Sequence, residues 1–535
     1  MAAEFDELVD VVVVGSGGGA LTGAYVTAAA GLATVVLEST DRFGGTTAYS
    51  GAGLWLPGNP ALRRSGVQDS ADEAREYLRA VVGEESAALQ DAFLDSAPAM
   101  VAELEKNPVL PFEYRPFPDY FDTAPNSLPL GRDIFPVDMD RTELGELADV
   151  LRPALPTERL GLPDPAELSG GQALIGRLLL ACQGTGHCDP RASTPMTSLI
   201  VDGDRVVGVV AAVDGQDRRI GARHGVLMAA GGFERNAEMR ARYQVPGDVL
   251  GSMGAPGGSG RPIEAAVEIG AAVDLMDQCW WSPGLTHPDG TSTFTLGLVG
   301  GIFVNSAGER FANESLPYDQ MGRAVLAGEA TGVSHVPFWL VFDGRFGTEL
   351  PAMSTVPIID RDAYVEAGTW RTADTLEGLA AAIGVPAENL VRTVDRFNGF
   401  ARNGKDEDFT RGEHPYDLFF ASGTGPNPAL VAIENGPFQA VQFGLSDLGT
   451  KGGLVTDTAA RVQRADGTTI GGLYAAGNTM ASMTRDTYPG PGTPVGTCMV
   501  FSYLAALDMI ERARAESGAR EAPARRSRKG QPWPN

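Results

Sequence analysis

Val9-Asp10-Val11-Val12-Val13-Val14-Gly15-Ser16-Gly17-Gly18-Gly19-Ala20, followed after a short interval by Ala33-Thr34-Val35-Val36-Leu37-Glu38, decides the fold of this chain. The valine run has the β-branched, uninterrupted character of a central parallel strand buried on both faces. The glycines then turn the chain into a helix of small residues reaching about Ala30, and a second strand, Ala33–Leu37, ends in Glu38. Strand, glycine turn, helix, strand and acid fall in that order within about thirty residues, the pattern of a dinucleotide-binding unit. Gly15 permits the tight turn and Gly17 lets the backbone approach a pyrophosphate. The helix opening through Gly18, Gly19 and Ala20 supplies N–H groups and a favourable dipole. Glu38 then accepts hydrogen bonds from ribose hydroxyls.

At 535 residues the chain exceeds what one core usually holds, which predicts two domains. Hydrophobic residues make up 43% and charged residues 21%, as in a folded protein. The net charge of −26 repels polyanions, so nucleic acid is not an expected partner. The uncharged stretch between Asp10 and Glu38 raises the question of a signal or membrane helix. An acidic N-terminus and the crowd of glycines oppose both, so no obligate membrane insertion is expected. The expected place is the cytoplasm, with peripheral contact at a membrane left open. Cys182, Cys188, Cys279 and Cys498 show no Cys-x-x-Cys spacing, and the five histidines are dispersed, so no metal centre is expected. Oligomeric state is not encoded in any pattern here.

Further along, Gly44-Gly45-Thr46-Thr47 and Ser50-Gly51 form a loop rich in glycine and hydroxyls, and Glu73–Glu105 reads as helical. Asn107–Phe135, dense in proline and aromatics, reads as a structured loop. Gly170–Gln183 predicts a helix, Thr197–Val201 and Arg205–Val210 a hairpin, and Gly225–Ala230 a strand running into Gly231. From Trp280 the periodicity breaks, and it resumes at Leu473-Tyr474-Ala475-Ala476 before Gly477-Asn478, with a closing helix over Thr497–Arg512. The expected architecture is α/β: a discontinuous Rossmann-like domain over 1–280 and 450–512, an inserted α+β domain over 281–449, and a disordered basic tail over 513–535.

The βαβ unit alone does not separate NAD from FAD. The Gly44–Gly51 loop and the distant Tyr474–Asn478 turn fit an extended flavin touched by widely separated segments, which favours FAD. No histidine lies in the Gly44–Gly51 loop, so the flavin is expected to be non-covalent. The expected contacts are Gly15, Gly17, Gly18, Gly19, Ala20, Glu38, Gly44, Gly45, Thr46, Ser50, Gly51, Gly231, Gly477, Asn478 and Pro494.

Several runs now carry a specific resemblance: Val14–Ala24, Asp41–Thr46, Gly308–Phe311, Asn313–Gln320, Ser446–Gly453 and Tyr488–Gly492. The chain resembles the flavoprotein superfamily of fumarate reductases and succinate dehydrogenases. Within it, the chain is similar to the 3-ketosteroid Δ1-dehydrogenases along nearly its whole length up to the tail. The resemblance implies FAD-dependent removal of hydrogen from C1 and C2 of a 3-ketosteroid, with the hydride passing to flavin N5. Tyr488 and the N–H of Gly492 would bind the C3 carbonyl, Tyr318 would take the C2 proton, and Tyr120 would assist it, with Tyr114 as competitor for that place. A tyrosine base, whose ordinary pKa is about 10, implies an alkaline optimum. Phe117, Phe294 and Val495 are candidate steroid-pocket walls because each adjoins one of these motifs.

A fumarate-reductase-like enzyme acting on a small carboxylate is the alternative. It would need arginine or histidine clamps, where the strongest motif positions here are tyrosines. His287 resembles a substrate histidine of that group but reads better as a loop residue. A dehydrogenase acting at C4–C5, and a flavoprotein that has lost catalysis, are the remaining readings. The expected electron acceptor is quinone-like, since the sequence carries neither a second dinucleotide fingerprint nor an iron–sulfur cysteine cluster.

Overall fold

The computed structural model describes residues 4–521. β1 (Glu7–Val14) turns through Gly15 into α1 (Gly18–Ala29) and returns as β2 (Thr34–Leu37). Val11–Val14 pairs in parallel with Thr34–Leu37 on one side and with residues 225–228 on the other. Burial on both faces is why this strand is uninterrupted valine. Gly15 sits at φ +102°, and a Cβ there would collide with the Ala229 carbonyl, so the turn requires glycine.

A small antiparallel sheet follows in the order β3 (Leu54–Trp55), β5 (Asp133–Pro136), β4 (Phe112–Tyr114). Two of these strands lie inside the segment expected to be a loop. They are only two to four residues long, too short for a period-2 pattern to stand out from a proline-rich background. The chain continues through α2 (Gly170–Thr185), β6 (Cys188–Arg191), the hairpin β7 (Met196–Asp202) and β8 (Arg205–Val213), and β9 (Gln216–Met228).

Between Cys279 and Thr450 a second, antiparallel sheet is built from β10 (Cys279–Thr286), β11 (Ser292–Leu296), β12 (Ile302–Val304), β13 (Phe338–Phe342), β14 (Met353–Ser354), β15 (Trp370–Ala373) and β16 (Phe438–Thr450). Its order is β12-β13-β16-β10-β11-β14, with β15 also on β16. Two helices matter for the site: α3 (Tyr318–Glu329) and the single turn α4 (Pro415–Phe419). The chain then returns to the first sheet as β17 (Arg461–Gln463) and β18 (Thr469–Ala475), and closes with α5 (Thr493–Glu521). The first sheet runs β17-β18-β8-β9-β1-β2-β6, with β7 beside β8. β18 lies parallel to β9 through Val226↔Leu473, so the Rossmann-like unit is completed by the far end of the chain around an α+β insert.

The closing helix is longer at both ends than the expected Thr497–Arg512. It begins at Thr493, directly after Gly492, and it continues through residues 513–521, which were expected to be disordered. The rest of that expected tail, 522–535, lies outside the described residues. The stretch Thr493–Ser517 is long and apolar enough to cross a membrane, yet most of its apolar window is buried inside the protein. Gly19 of α1 meets this helix so closely that a Cβ would collide with Cys498 Sγ.

Candidate active site

Tyr120, Tyr318 and Tyr488, far apart in sequence, converge in one buried aromatic cluster. Their ring centroids lie 5.6 Å apart for Tyr120–Tyr318, 5.3 Å for Tyr120–Tyr488 and 5.3 Å for Tyr318–Tyr488. The Tyr318 and Tyr488 hydroxyls share a hydrogen bond of 2.7 Å. The Tyr120 hydroxyl is buried without a partner in the protein, a costly arrangement that leaves a donor free for the site. Tyr114, its competitor, instead donates to the Leu130 carbonyl at 2.8 Å.

The three loops are tied to one another by the main chain. Tyr120 N–H donates to the Pro489 carbonyl at 3.1 Å, which also accepts from the Tyr77 hydroxyl at 2.6 Å. Gln320 Nε2, on the first turn of α3, donates to the Tyr120 carbonyl at 3.0 Å. Asp119, next to Tyr120, accepts from Trp55 Nε1 at 2.8 Å and pairs with the fully buried Arg132, which also pairs with Asp69. This buried ion pair and these main-chain hydrogen bonds hold the irregular stretch around Tyr120 in place.

Burial raises the pKa of all three phenols, and the three are not equivalent. For Tyr318, burial is opposed by the nearby Tyr120 hydroxyl and by the hydrogen bond to Tyr488. For Tyr120 and Tyr488, the neighbouring Tyr318 pushes the pKa further up. Tyr318 is thus the phenol of the three whose burial is offset by neighbouring hydroxyls.

Gly492 has φ +76° and stands immediately before α5. A Cβ there would collide with the carbonyl of Gly53, so its lack of a side chain serves the close approach to Gly53. Among the described residues no acceptor is paired with its N–H. The N-terminal edge of α5 thus offers a free donor and a positive dipole end near Tyr488.

Trp280, Tyr416 and Lys451 belong to this neighbourhood; Lys451 lies in the run Ser446–Gly453, whereas Trp280 and Tyr416 had no motif to mark them. Trp280 packs 4.9 Å from Tyr488 and donates from Nε1 to Asn478 Oδ1 at 3.0 Å. Tyr416, on α4, packs edge-on to Tyr120 at 5.4 Å. Lys451 Nζ lies 4.0 Å from the Trp280 ring centroid and donates to the Thr487 carbonyl, holding the Tyr488 loop; burial lowers its pKa to about 7. Phe117 and Phe294 pack against the tyrosine cluster, with Phe294 4.7 Å from Tyr318. Val495 does not: its side chain stands over Gly18, on the side of the glycine turn. His287 lies in the loop between β10 and β11, as expected, and is closed to a ligand. It is buried between Tyr364 at 2.5 Å and Thr293 at 2.6 Å, and burial lowers its pKa to about 4.

The glycine turn faces the residues expected to hold FAD, and its geometry suits that group. A Cβ on Gly17 would find only the Thr47 hydroxyl and the Gly44 carbonyl within ordinary contact, and Gly51 and Gly231 face open space. Gly44 and Gly45 have φ of +123° and +49°, shaping a loop whose bare backbone leaves room for a large ligand. Ser16 Oγ donates to Glu38 Oε2 at 2.5 Å and accepts from Gly44 N–H at 2.9 Å, joining turn, acid and loop. Gly18 N–H is taken by Thr47 Oγ1 at 3.1 Å and Thr46 Oγ1 by Ala255 N–H at 2.9 Å, so these two shape the cradle. Ser50 Oγ likewise turns inward to the Thr47 carbonyl at 2.7 Å. Ala20 is buried in α1, while Gly477, Asn478 and Pro494 line one small cavity with Trp280 and Lys451. Cradle and tyrosines meet where Gly53 contacts Gly492.

The FAD binding domain family matches residues 10–495. A 3-oxosteroid 1-dehydrogenase of Rhodococcus opacus is 44% identical over 514 residues, covering 94% of this chain and 98% of that protein. A 4-oxocyclohexanecarboxylate 2-dehydrogenase of Sinomonas cyclohexanicum is 36% identical over 557 residues, covering 96% and 95%. Among solved structures, the 3-ketosteroid Δ1-dehydrogenase of Sterolibacterium denitrificans in complex with 1,4-androstadiene-3,17-dione superposes with a TM-score of 0.88 at 34% identity, over 95% of this chain and all of that one.

Proposed function

The chain belongs to the 3-oxosteroid 1-dehydrogenases, FAD-binding oxidoreductases acting on a CH–CH bond, and from this premise we propose that Tyr318, Tyr488, Gly492 and Tyr120 carry out the 1,2-dehydrogenation of a 3-ketosteroid. The observation that carries the assignment is the convergence of three buried phenols, with Tyr318 and Tyr488 joined at 2.7 Å, beside the free N–H of Gly492.

Tyr488 and the Gly492 N–H hold the C3 carbonyl oxygen as it gains enolate character, aided by the N-terminal end of α5. That polarisation acidifies C2, and the Tyr318 phenolate takes its proton, with Tyr120 donating to the Tyr318 oxygen. Bound FAD supplies the two-electron oxidation by accepting the C1 hydrogen as hydride. The C2–H bonding pair becomes the second bond between C1 and C2, so electrons and protons balance. Gly15, Gly17, Glu38, Gly44, Gly45, Gly51 and Gly231 would hold the cofactor, without a covalent link. A small quinone-like molecule is the acceptor we assign to the reoxidising half of the cycle.

The ring neighbours of the trio are Phe294, Trp280 and Tyr416. A carboxylate substrate, whether fumarate or 4-oxocyclohexanecarboxylate, would lose hydration against these rings without an ion-pair partner among them; a neutral steroid would not. The assignment is tested by Tyr318→Phe, for which we expect kcat to fall by about 10²–10⁴-fold while flavin content and steroid binding, read from the flavin spectrum, persist. Turnover retained in that variant would remove Tyr318 from the base role.

A further inference from the structure

The substrate's reacting end is fixed by buried hydroxyls, so its far end must lie toward the surface. A series of aromatic rings marks one direction. From Tyr120, Tyr416 follows at 5.4 Å, Phe117 at 6.1 Å beyond it, and Phe419 at 5.5 Å beyond that. The series starts at the buried trio and ends on Phe419, which is 38% exposed. Phe420 closes the outer end, 5.8 Å from Phe117 and 4.9 Å from Phe419.

The outer rings come from two separate lips. One is the segment of Phe117 and Asp122, and the other runs from His414 through α4 to Phe420. A hydrogen bond between His414 Nδ1 and Asp122 Oδ2, 3.0 Å long, ties them at the surface. Beside Tyr318, between it and Phe420, lies a cavity of only about 30 Å³. No four-ring nucleus fits that volume, so the pocket must widen for substrate.

We propose that Phe419, closing edge-on against Phe117, is a steric gate that selects substrates by the size of their C17 side chain. The gate rests on the dehydrogenase function proposed above. A 17-ketone ends short of Phe419, whereas an eight-carbon side chain must pass between the two rings. Misfit of even one methylene in such a wall costs roughly tenfold or more in kcat/KM.

The experiment compares kcat/KM for androst-4-ene-3,17-dione and cholest-4-en-3-one in the flavin-loaded enzyme and in Phe419→Ala and Phe419→Trp. Phe419 is partly exposed, and Phe419→Leu serves if alanine disturbs folding. The expected result is that alanine raises the cholestenone-to-androstenedione ratio by about tenfold or more and tryptophan lowers it, with androstenedione changing less than about twofold. A ratio unmoved in both variants, or one that falls with alanine, overturns the gate while leaving the dehydrogenase function intact. Oxidation of neither steroid by the unaltered enzyme would instead bring down the function on which the gate rests.

Discussion

The proton taken from C2 must find an oxygen that is ionised at working pH, and this makes the environment of one phenol decisive. Burial holds the Tyr318 pKa above the ordinary phenol value, and the nearby Tyr120 hydroxyl and the hydrogen bond to Tyr488 draw it back. In the proposed mechanism the active species is the deprotonated one, so kcat/KM should climb as pH rises from neutral toward the alkaline side and level off only above the Tyr318 pKa. In Tyr488→Phe one of the hydrogen bonds that favour phenolate is gone, so the rising limb should move to higher pH. The same variant should lose about 10²–10³-fold in kcat through the missing carbonyl donor. A pH–rate series on both enzymes checks this, and a profile flat or falling from neutral to alkaline pH would contradict a phenolate base. The sequence marked Tyr318 and Tyr488 through adjoining motifs and Tyr120 through the resemblance alone, whereas Trp280 and Tyr416 reach the cluster by long-range packing. Val495 adjoins Gly492 in sequence, but each helical residue turns about 100° from the last, and its side chain ends over Gly18.

Among the elements, the glycine turn was legible because its information is local. Strand periodicity, turn glycines and the acid all lie within one short stretch, and β1, α1 and β2 form where the sequence put them. The segment around Tyr120 was not legible, since its order comes from a buried ion network between distant residues. Arg132 has no exposed surface and pairs with Asp119 at 2.9 Å and Asp69 at 2.7 Å; its guanidinium also lies 5.4 Å from the Trp55 ring. Arg132→Leu should leave two buried carboxylates without a counter-charge and cost about 3–5 kcal/mol. Urea unfolding should report this as a lower midpoint at unchanged slope, with reduced kcat because Tyr120 loses its support. A midpoint equal to that of the unaltered protein would mean that the network does not hold the segment.

On the scale of the whole molecule, the site lies where two sheets meet. Tyr120 and Tyr488 come from segments that flank the first sheet, and Tyr318 opens a helix packed beneath β10 of the second. Neither part carries the three hydroxyls alone, and Gly492 is set by its contact with Gly53 beside the flavin cradle. The alternation of patterns along the chain signalled a discontinuous α/β fold with an insert, because each return of buried β-branched strand was visible at Gly225 and Leu473. How the insert folds over the cradle was not visible, since antiparallel strands such as β16 find partners far away in sequence. The central claim is that this assembly removes hydrogen from C1 and C2 of a 3-ketosteroid, and its most direct test is anaerobic titration of the purified yellow protein with androst-4-ene-3,17-dione. The flavin band should bleach in proportion to added steroid as the 1,4-dien-3-one appears; a flavin that stays oxidised in the presence of the steroid would contradict the claim.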